Sequence, residues 1–341
     1  MSRLLVLLAA LTLAVLPCSA RAQERLVVLN KSDDTALLLD ARTGAVQALL
    51  PTGREPHEVA VSPDRRRALV TNYGTRDAPG NTLSLIDLEA AEILETISLG
   101  RFTRPHGVAW LDDRRAAVTA EGAGALVIVD LEARRVTAAL ATGHRLSHMV
   151  ALSPDGTRAF VPDLASGSLA AFDLKAGTIL PETFSGGGAE GVAVLPDGSE
   201  VWVTNRADDA VAVFDAATLT LRARIPAGQF PIRVAFTPDG RRALVSNARS
   251  GDVSVYDTAS RAEIARIRMD APLAEDGTSD RYFAGAFEGS PIPIGIAVSS
   301  DGRRAFVANS NADVVVVLDL DALQPVARFT TGRQPDGIAV W

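Results

Sequence analysis

The sequence holds a single cysteine, Cys18, and it lies in the first apolar segment. The rest of the chain has neither disulfides nor thiol chemistry. Histidine is scarce as well, with four in the chain, and aromatic residues make up 5%. Where histidine is this rare, the position of each one carries weight. After the N-terminal segment no apolar run approaches the ~20 residues that cross a bilayer as a helix. No G-x-S-x-G, H-E-x-x-H or Walker sequence occurs, so the corresponding catalytic classes have no support. Gly186-Gly187-Gly188-Ala189-Glu190-Gly191 does fit G-x-G-x-x-G. It lies between two expected antiparallel strands with no helix after it, and dinucleotide binding is rejected.

The first residues read as a targeting segment. Arg3 is a charged n-region, residues 4–16 form an apolar core, and Ala20-Arg21-Ala22 fits a small-x-small cleavage site. The expectation is a signal peptide over 1–22, cleaved after Ala22, and a periplasmic or secreted product. Cys18 then leaves with it. A lipid anchor on Cys18 is the weaker alternative, because Pro17 is a poor neighbour for lipoprotein processing. Losing Arg3 and Arg21 reduces 34 basic groups to 32 against 41 acidic ones, a net charge of −9. An acidic chain disfavours sequence-independent binding of nucleic acid, which depends on neutralising phosphates.

What is present in quantity is one short sentence, repeated. Val59-Ala60-Val61-Ser62-Pro63-Asp64 returns at Val150, Val192 and Val234, and in weaker copies at Val108, Ile296 and Ile338. The copy at Val150 ends in Ser153-Pro154-Asp155-Gly156 and reads as a strand closed by a tight turn, with Pro presetting φ and Gly supplying a positive φ. The first residues of the copies are 49, 42, 42, 42, 62 and 42 positions apart. The first six copies are each followed by three more short strand patterns, and four strands in ~40–45 residues is the mark of a β-propeller blade. Three strands precede Val59, whereas Ile338 begins one only. Residues 23–341 are therefore expected to form a single all-β, seven-bladed propeller of four-stranded antiparallel blades. Its C-terminal strand would join the three N-terminal ones, which removes an exposed edge.

Two further columns follow the repeat. The third strands end in Asp40, Asp87, Asp130, Asp173, Asp215, Asp257 and Asp319. An Asp at a strand end caps the next turn through its own backbone, and that reading is preferred to a chemical array. The second strands carry Asn30, Asn72, Asn205, Asn247 and Asn309, interrupted by Ala120 and Asp163. Together, Val-Thr-Asn, a strand ending in Ile-Asp, and Gly-x-x-Pro-x-Gly-Val-Ala-Val-Ser-Pro-Asp-Gly resemble the YVTN-repeat propellers, the YncE-like group, over residues 25–341. The resemblance implies the propeller fold and leaves function open. Such propellers include surface and periplasmic binding proteins, a DNA-binding member and relatives linked to quinone-dependent alcohol catabolism. Related rings include lactonases, amine dehydrogenase subunits and nitrous oxide reductase, which builds a metal centre from inner-strand histidines.

Two positions before each repeat's Val or Ile stand His57, His106, His148, Glu190, Ile232, Ile294 and Asp336. Asp336 belongs to the blade before His57, so the ring order is Asp-His-His-His-Glu-Ile-Ile. Equivalent positions on inner strands circle the central channel, where side chains far apart in sequence can converge. Three imidazoles with a carboxylate suit one Zn, Cu or Fe ion, and His57, His106, His148 and Glu190 are the expected metal set. The competing reading is that Pro-His-Gly-Val-Ala is repeat consensus and the histidines cap turns. His144 lies outside the column and reads as an ordinary loop residue.

Departures from the repeat gather at the same end. Residues 74–81 hold an insertion between a second and a third strand, and residues 270–289 a longer one before the Ile294 blade. The longer loop carries Tyr282, Phe283 and Phe287, which could cover the Ile232/Ile294 side of a pocket as a lid. Tyr73, Glu121, Asp163, Arg206 and Arg233 lie on this face, with Glu121 and Arg233 the stronger candidates because neither matches the repeat. The expected pocket thus contains Ile232, Arg233, Ile294, Tyr73, Tyr282, Phe283, Phe287 and Asp336. Glu190 and Glu121 are candidate general bases. Two functions follow: a monomeric binding propeller taking a small-molecule or protein ligand at this face, or a metal-dependent oxidoreductase or hydrolase/lyase. Lactonase-like hydrolysis around an oxygen-bound divalent ion fits less well, since His rather than Asp or Asn dominates the column.

Overall fold

A computed structural model describes residues 24–274, 281, 286, 287 and 289–341. The signal peptide expected over residues 1–22 therefore lies outside the described residues. Seven four-stranded antiparallel sheets form a ring with almost no helix: the chain is an all-β, seven-bladed propeller. Blade 1 joins strands Arg25–Asn30, Thr35–Asp40 and Val46–Pro51 to Pro335–Val340 at the other end of the chain. Leu26, Val27 and Val28 stand opposite Val340, Ala339 and Ile338, and the Arg25 and Trp341 backbones exchange hydrogen bonds of 2.9 and 3.0 Å. Blades 2 to 7 then span 56–98, 105–141, 151–184, 189–226, 231–268 and 293–330.

Alternating apolar residues give each blade two buried faces, and the core is a set of clusters between neighbouring sheets. Trp202 and Tyr256 are fully buried between blades 5 and 6. The turns behave as their chemistry requires. In Ser153-Pro154-Asp155-Gly156 the Gly156 N–H donates to the Ser153 carbonyl at 2.8 Å, and Gly156 has φ +68°. The third-strand aspartates cap their own turns: Asp87 Oδ1 accepts the N–H groups of Glu89 and Ala90 at 2.9 and 2.8 Å. Asp130, Asp173 and Asp319 do the same.

Two expectations need correction. The insertion at 74–81 is mostly not a loop. It lengthens a hairpin, so that strands Arg67–Gly74 and Pro79–Asp87 pair as far as Gly74 and Pro79 and only residues 75–78 turn. In blade 4 the inner strand shrinks to Ala151–Leu152, with a lone bridge between Ser147 and Asp163 ahead of it. The shortening falls where Ser147-His148-Met149 departs from the repeat, and His148 still anchors its N–H on the Pro162 carbonyl at 3.0 Å.

Candidate functional site

A β-bulge lies at nearly every position of the inner-strand column. In blade 2, Pro56 pairs with Asn72 and Val59 with Val70, so His57 and Glu58 together face one residue, Thr71. The same shift recurs between Pro105 and Val108, Ala189 and Val192, Pro231 and Arg233, and Pro293 and Ile296. In a regular strand consecutive side chains point to opposite faces; a bulge re-aims them. Ile232 and Arg233 consequently both line the channel mouth.

Hydroxyl groups on the second strands tie the column together. Thr71 donates to the His106 carbonyl at 2.8 Å, Thr119 to that of His148 at 2.5 Å, Thr204 to Ile232 at 3.0 Å and Ser246 to Ile294 at 2.7 Å. Each bond crosses to the next blade. Glycine allows the approach: a Cβ on Gly107 would lie 2.6 Å from the Val150 nitrogen, and one on Gly191 2.3 Å from the Ile232 oxygen.

The result is a cavity of about 250 Å³ at one end of the channel. All seven column residues line it, together with Tyr73, Glu121, Arg206, Arg233, Leu146 and Leu164. The side chains sort into groups. His57 Nδ1 is 2.7 Å from Asp336 Oδ2. The His106 ring lies between its neighbours, with centroids 4.2 Å from His57 and 3.6 Å from His148. Glu121 binds His148 Nδ1 through Oε1 at 2.5 Å and accepts the Tyr73 hydroxyl on Oε2 at 2.5 Å. Glu190 lies 3.4 Å from His148 Nε2 and accepts a hydrogen bond from Arg206 at 2.9 Å. Arg233 reaches across the channel to Glu58, 175 positions away.

Ionisation follows from these contacts. Burial pushes His106 well below the usual imidazole range, and the neighbouring charges of His148 and His57 push the same way. It is a neutral ring. Burial works against charge on His148 too, but hydrogen bonds to Glu121 and Glu190 outweigh it and raise its pKa. Burial would raise Glu121 and Glu190, yet the bond to His148 leads the opposing interactions and holds both below the ordinary carboxylate range. Asp336 is likewise held down, against burial, by His57. Burial draws Lys31 to about 8 despite Asp336, Glu55 and Glu121.

One feature stands apart from these paired groups. His106 is 1% exposed, and neither of its ring nitrogens has a hydrogen-bond partner among the described residues. His106, Glu121 and His148 each offer a donor atom within 4.8 Å of the others, a group that could hold a metal ion. Two imidazoles and a carboxylate suit Zn, Cu or Fe. Of the expected set His57, His106, His148 and Glu190, this group contains His106 and His148, with Glu121 beside them; His57 is paired with Asp336 and Glu190 with Arg206.

Phe287 does not line the cavity. It packs behind it, in a cluster with Ile232, Ile292 and Ile294, edge-on to Phe230 at 4.7 Å. Arg281, also from this stretch, pairs its guanidinium with Asp313 at 2.6 and 3.0 Å. Tyr282 and Phe283 lie outside the described residues. Asp163 is a turn cap, accepting the N–H groups of Ala165 and Ser166, and His144 forms a surface pair with Glu182 at 2.7 Å. Sequence reasoning passed over Lys31, Glu58, Leu146 and Leu164. Glu58 had a signal: its place in the repeat is glycine in four blades, at Gly107, Gly191, Gly295 and Gly337.

Residues 174–273 match the family described as "Lactonase, 7-bladed beta-propeller". That stretch covers blades 5 and 6. It supplies Glu190, Arg206, Ile232 and Arg233 to the cavity and none of His106, Glu121 and His148. No curated protein matches the sequence. Among solved structures, a functionally unknown protein from Desulfotomaculum acetoxidans DSM 771 superposes with a TM-score of 0.76 at 14% identity, over 93% of this chain and 98% of that one. At that identity the likeness concerns the fold. Among the described residues no helix is long and apolar enough to cross a membrane.

Proposed function

We propose that this chain is an extracytoplasmic, monomeric binding propeller of the YncE-like kind, processed after Ala22 and either periplasmic or secreted. It takes a small ligand at the mouth of its channel, on one transition-metal ion carried by His106, His148 and Glu121. The observation that carries this reading is His106. A buried neutral imidazole with both nitrogens unsatisfied costs stability. A metal would use one of those nitrogens, and two further donors already stand within reach. The ion would supply an electrophilic centre; the chain supplies its orientation. Tyr73 holds the second oxygen of Glu121, and Arg206 holds Glu190 beside His148.

Elemental analysis of protein purified from its own compartment tests the proposal. About one equivalent of Zn, Cu or Fe is expected in the wild type, and none in His106→Ala. A metal-free wild type that ignores added Zn or Cu would sink it. N-terminal sequencing of the mature protein should begin at Gln23 if the processing assignment holds.

One observation favours catalysis as a second reading. Asp336 fixes the His57 ring directly beside His106, which is how a general base is oriented next to a metal. Glu121 and Glu190, the other candidate bases, are held low and ion-paired, so they are weaker proton acceptors. Turnover that disappears in His57→Gln while metal content persists would select this reading. The partial lactonase match bears on the framework of blades 5 and 6 and does not reach the three donors.

A further inference from the structure

This step rests on the metal reading above and concerns what completes the metal's coordination. We infer that the remaining positions are taken by a small organic carboxylate whose apolar body lies against Ile232 and Ile294.

The first observation is a charge imbalance. A divalent ion that takes the place of the His148 proton, on two imidazoles and the single carboxylate of Glu121, leaves a net positive charge in a buried place, and uncompensated buried charge is costly. The neighbouring protein carboxylates are already committed. Asp336 is paired with His57, Glu190 with Arg206 at 2.9 Å, and Glu58 with Arg233. The second oxygen of Glu121 belongs to Tyr73. What the site lacks is an anion from outside.

The far wall describes the rest of that anion. Arg233 and Arg206 place guanidinium groups at the cavity, Arg206 stacked 5.0 Å over Phe230. Ile232 and Ile294 supply an apolar surface of the same cavity, with Phe287 packed in their cluster. Both guanidinium groups are already paired with Glu190 and Glu58, so it is the metal that calls for the negative charge, while an inorganic anion would gain nothing from the isoleucines. At about 250 Å³ the cavity lies just below the range that takes drug-sized molecules, so the acid is small.

Cobalt(II) is a suitable probe, because its visible absorption reports its coordination. The purified protein is loaded with Co²⁺, its stoichiometry is measured, and it is then titrated at constant pH and ionic strength with benzoate or with benzamide, a neutral molecule of the same shape. Benzoate should change the spectrum saturably and raise the apparent Co²⁺ affinity by about tenfold, since the coupling is reciprocal. Benzamide should do neither. Ile294→Ala should weaken benzoate several-fold while leaving acetate unchanged. Stoichiometric cobalt with a spectrum indifferent to benzoate would mean that solvent closes the shell and would overturn the inference alone. An equal response to benzamide, or an equal loss of benzoate and acetate in Ile294→Ala, would overturn it too. Failure to bind cobalt at all, read before any acid is added, removes the metal reading and this inference together.

Discussion

Two columns of titratable side chains run round the seven blades with equal regularity, and they behave in opposite ways. Each third-strand aspartate accepts N–H groups of the turn that follows it, as Asp87 does from Glu89 and Ala90. The inner-strand column has the same copy number, yet its members meet. Asp336 grips His57, His57 packs on His106, and His106 on His148, which contacts Glu190. The difference is radial. At a strand's outer turn the nearest partner is the local backbone, so seven copies do one job seven times. At the ring axis the nearest partner is the next blade, so seven positions become one site.

The comparison breaks most completely if the ring is opened. Deleting residues 334–341 removes Asp336 and the strand that pairs with Arg25–Asn30. The melting temperature is expected to fall by more than about 10 °C. A truncated protein that melts cooperatively within about two degrees of the full chain would contradict the closure.

Metal binding should divide the inner column itself. Ala at His106, Glu121 or His148 is expected to abolish stoichiometric metal, measured by elemental analysis after dialysis. Ala at His57 should keep it with an affinity roughly tenfold lower, the effect of a neighbour outside the donor set. An equal loss in all four variants would return His57 to the ligands.

The two central imidazoles should have opposite pH signatures in metal-free protein. The pKa of His106 is lowered on folding, so the unfolded chain binds the proton first and stability falls as pH drops through 6.5. For His148 the folded pKa is raised; its contribution is complete below 6.5 and is lost as pH rises through the folded value. Urea denaturation at about pH 8 and about pH 5 should therefore show His106→Asn gaining stability relative to the wild type on acidification, and His148→Asn losing it. Slopes of the same sign would contradict the assignment of His106 as the neutral member.

The smallest effects belong to the outer column. Asp87→Ala, Asp130→Ala and Asp319→Ala should each cost about 1 kcal/mol in chemical denaturation. Combined, they should add to within about 0.5 kcal/mol, because the sites share no partner. A strong departure from additivity would show that these turns communicate after all.

Much of this was legible in the sequence because a blade is a local object. Alternating apolar residues, Pro and Gly at turns and Asp after strands act within a few residues, so period and phase specify the sheets, the ring closure and the column holding His57, His106, His148 and Glu190. Glu121 and Arg233 were also visible, as breaks in an otherwise regular pattern, and Tyr73 as a neighbour on the same face. The pairings within the column were not. Whether His106 shares its site with Glu121 or with His57 depends on bulges that re-aim two consecutive side chains at once and on which carboxylate reaches which cation first. Arg233 and Glu58 meet across the channel from 175 positions apart. No periodicity encodes such a contact; it exists only once seven blades close and set the distances across the axis. The sequence by itself determined the propeller and which residues face its centre. Only the tertiary structure decided that His106 would be left there, buried and neutral, with nothing among the described residues bonded to either nitrogen.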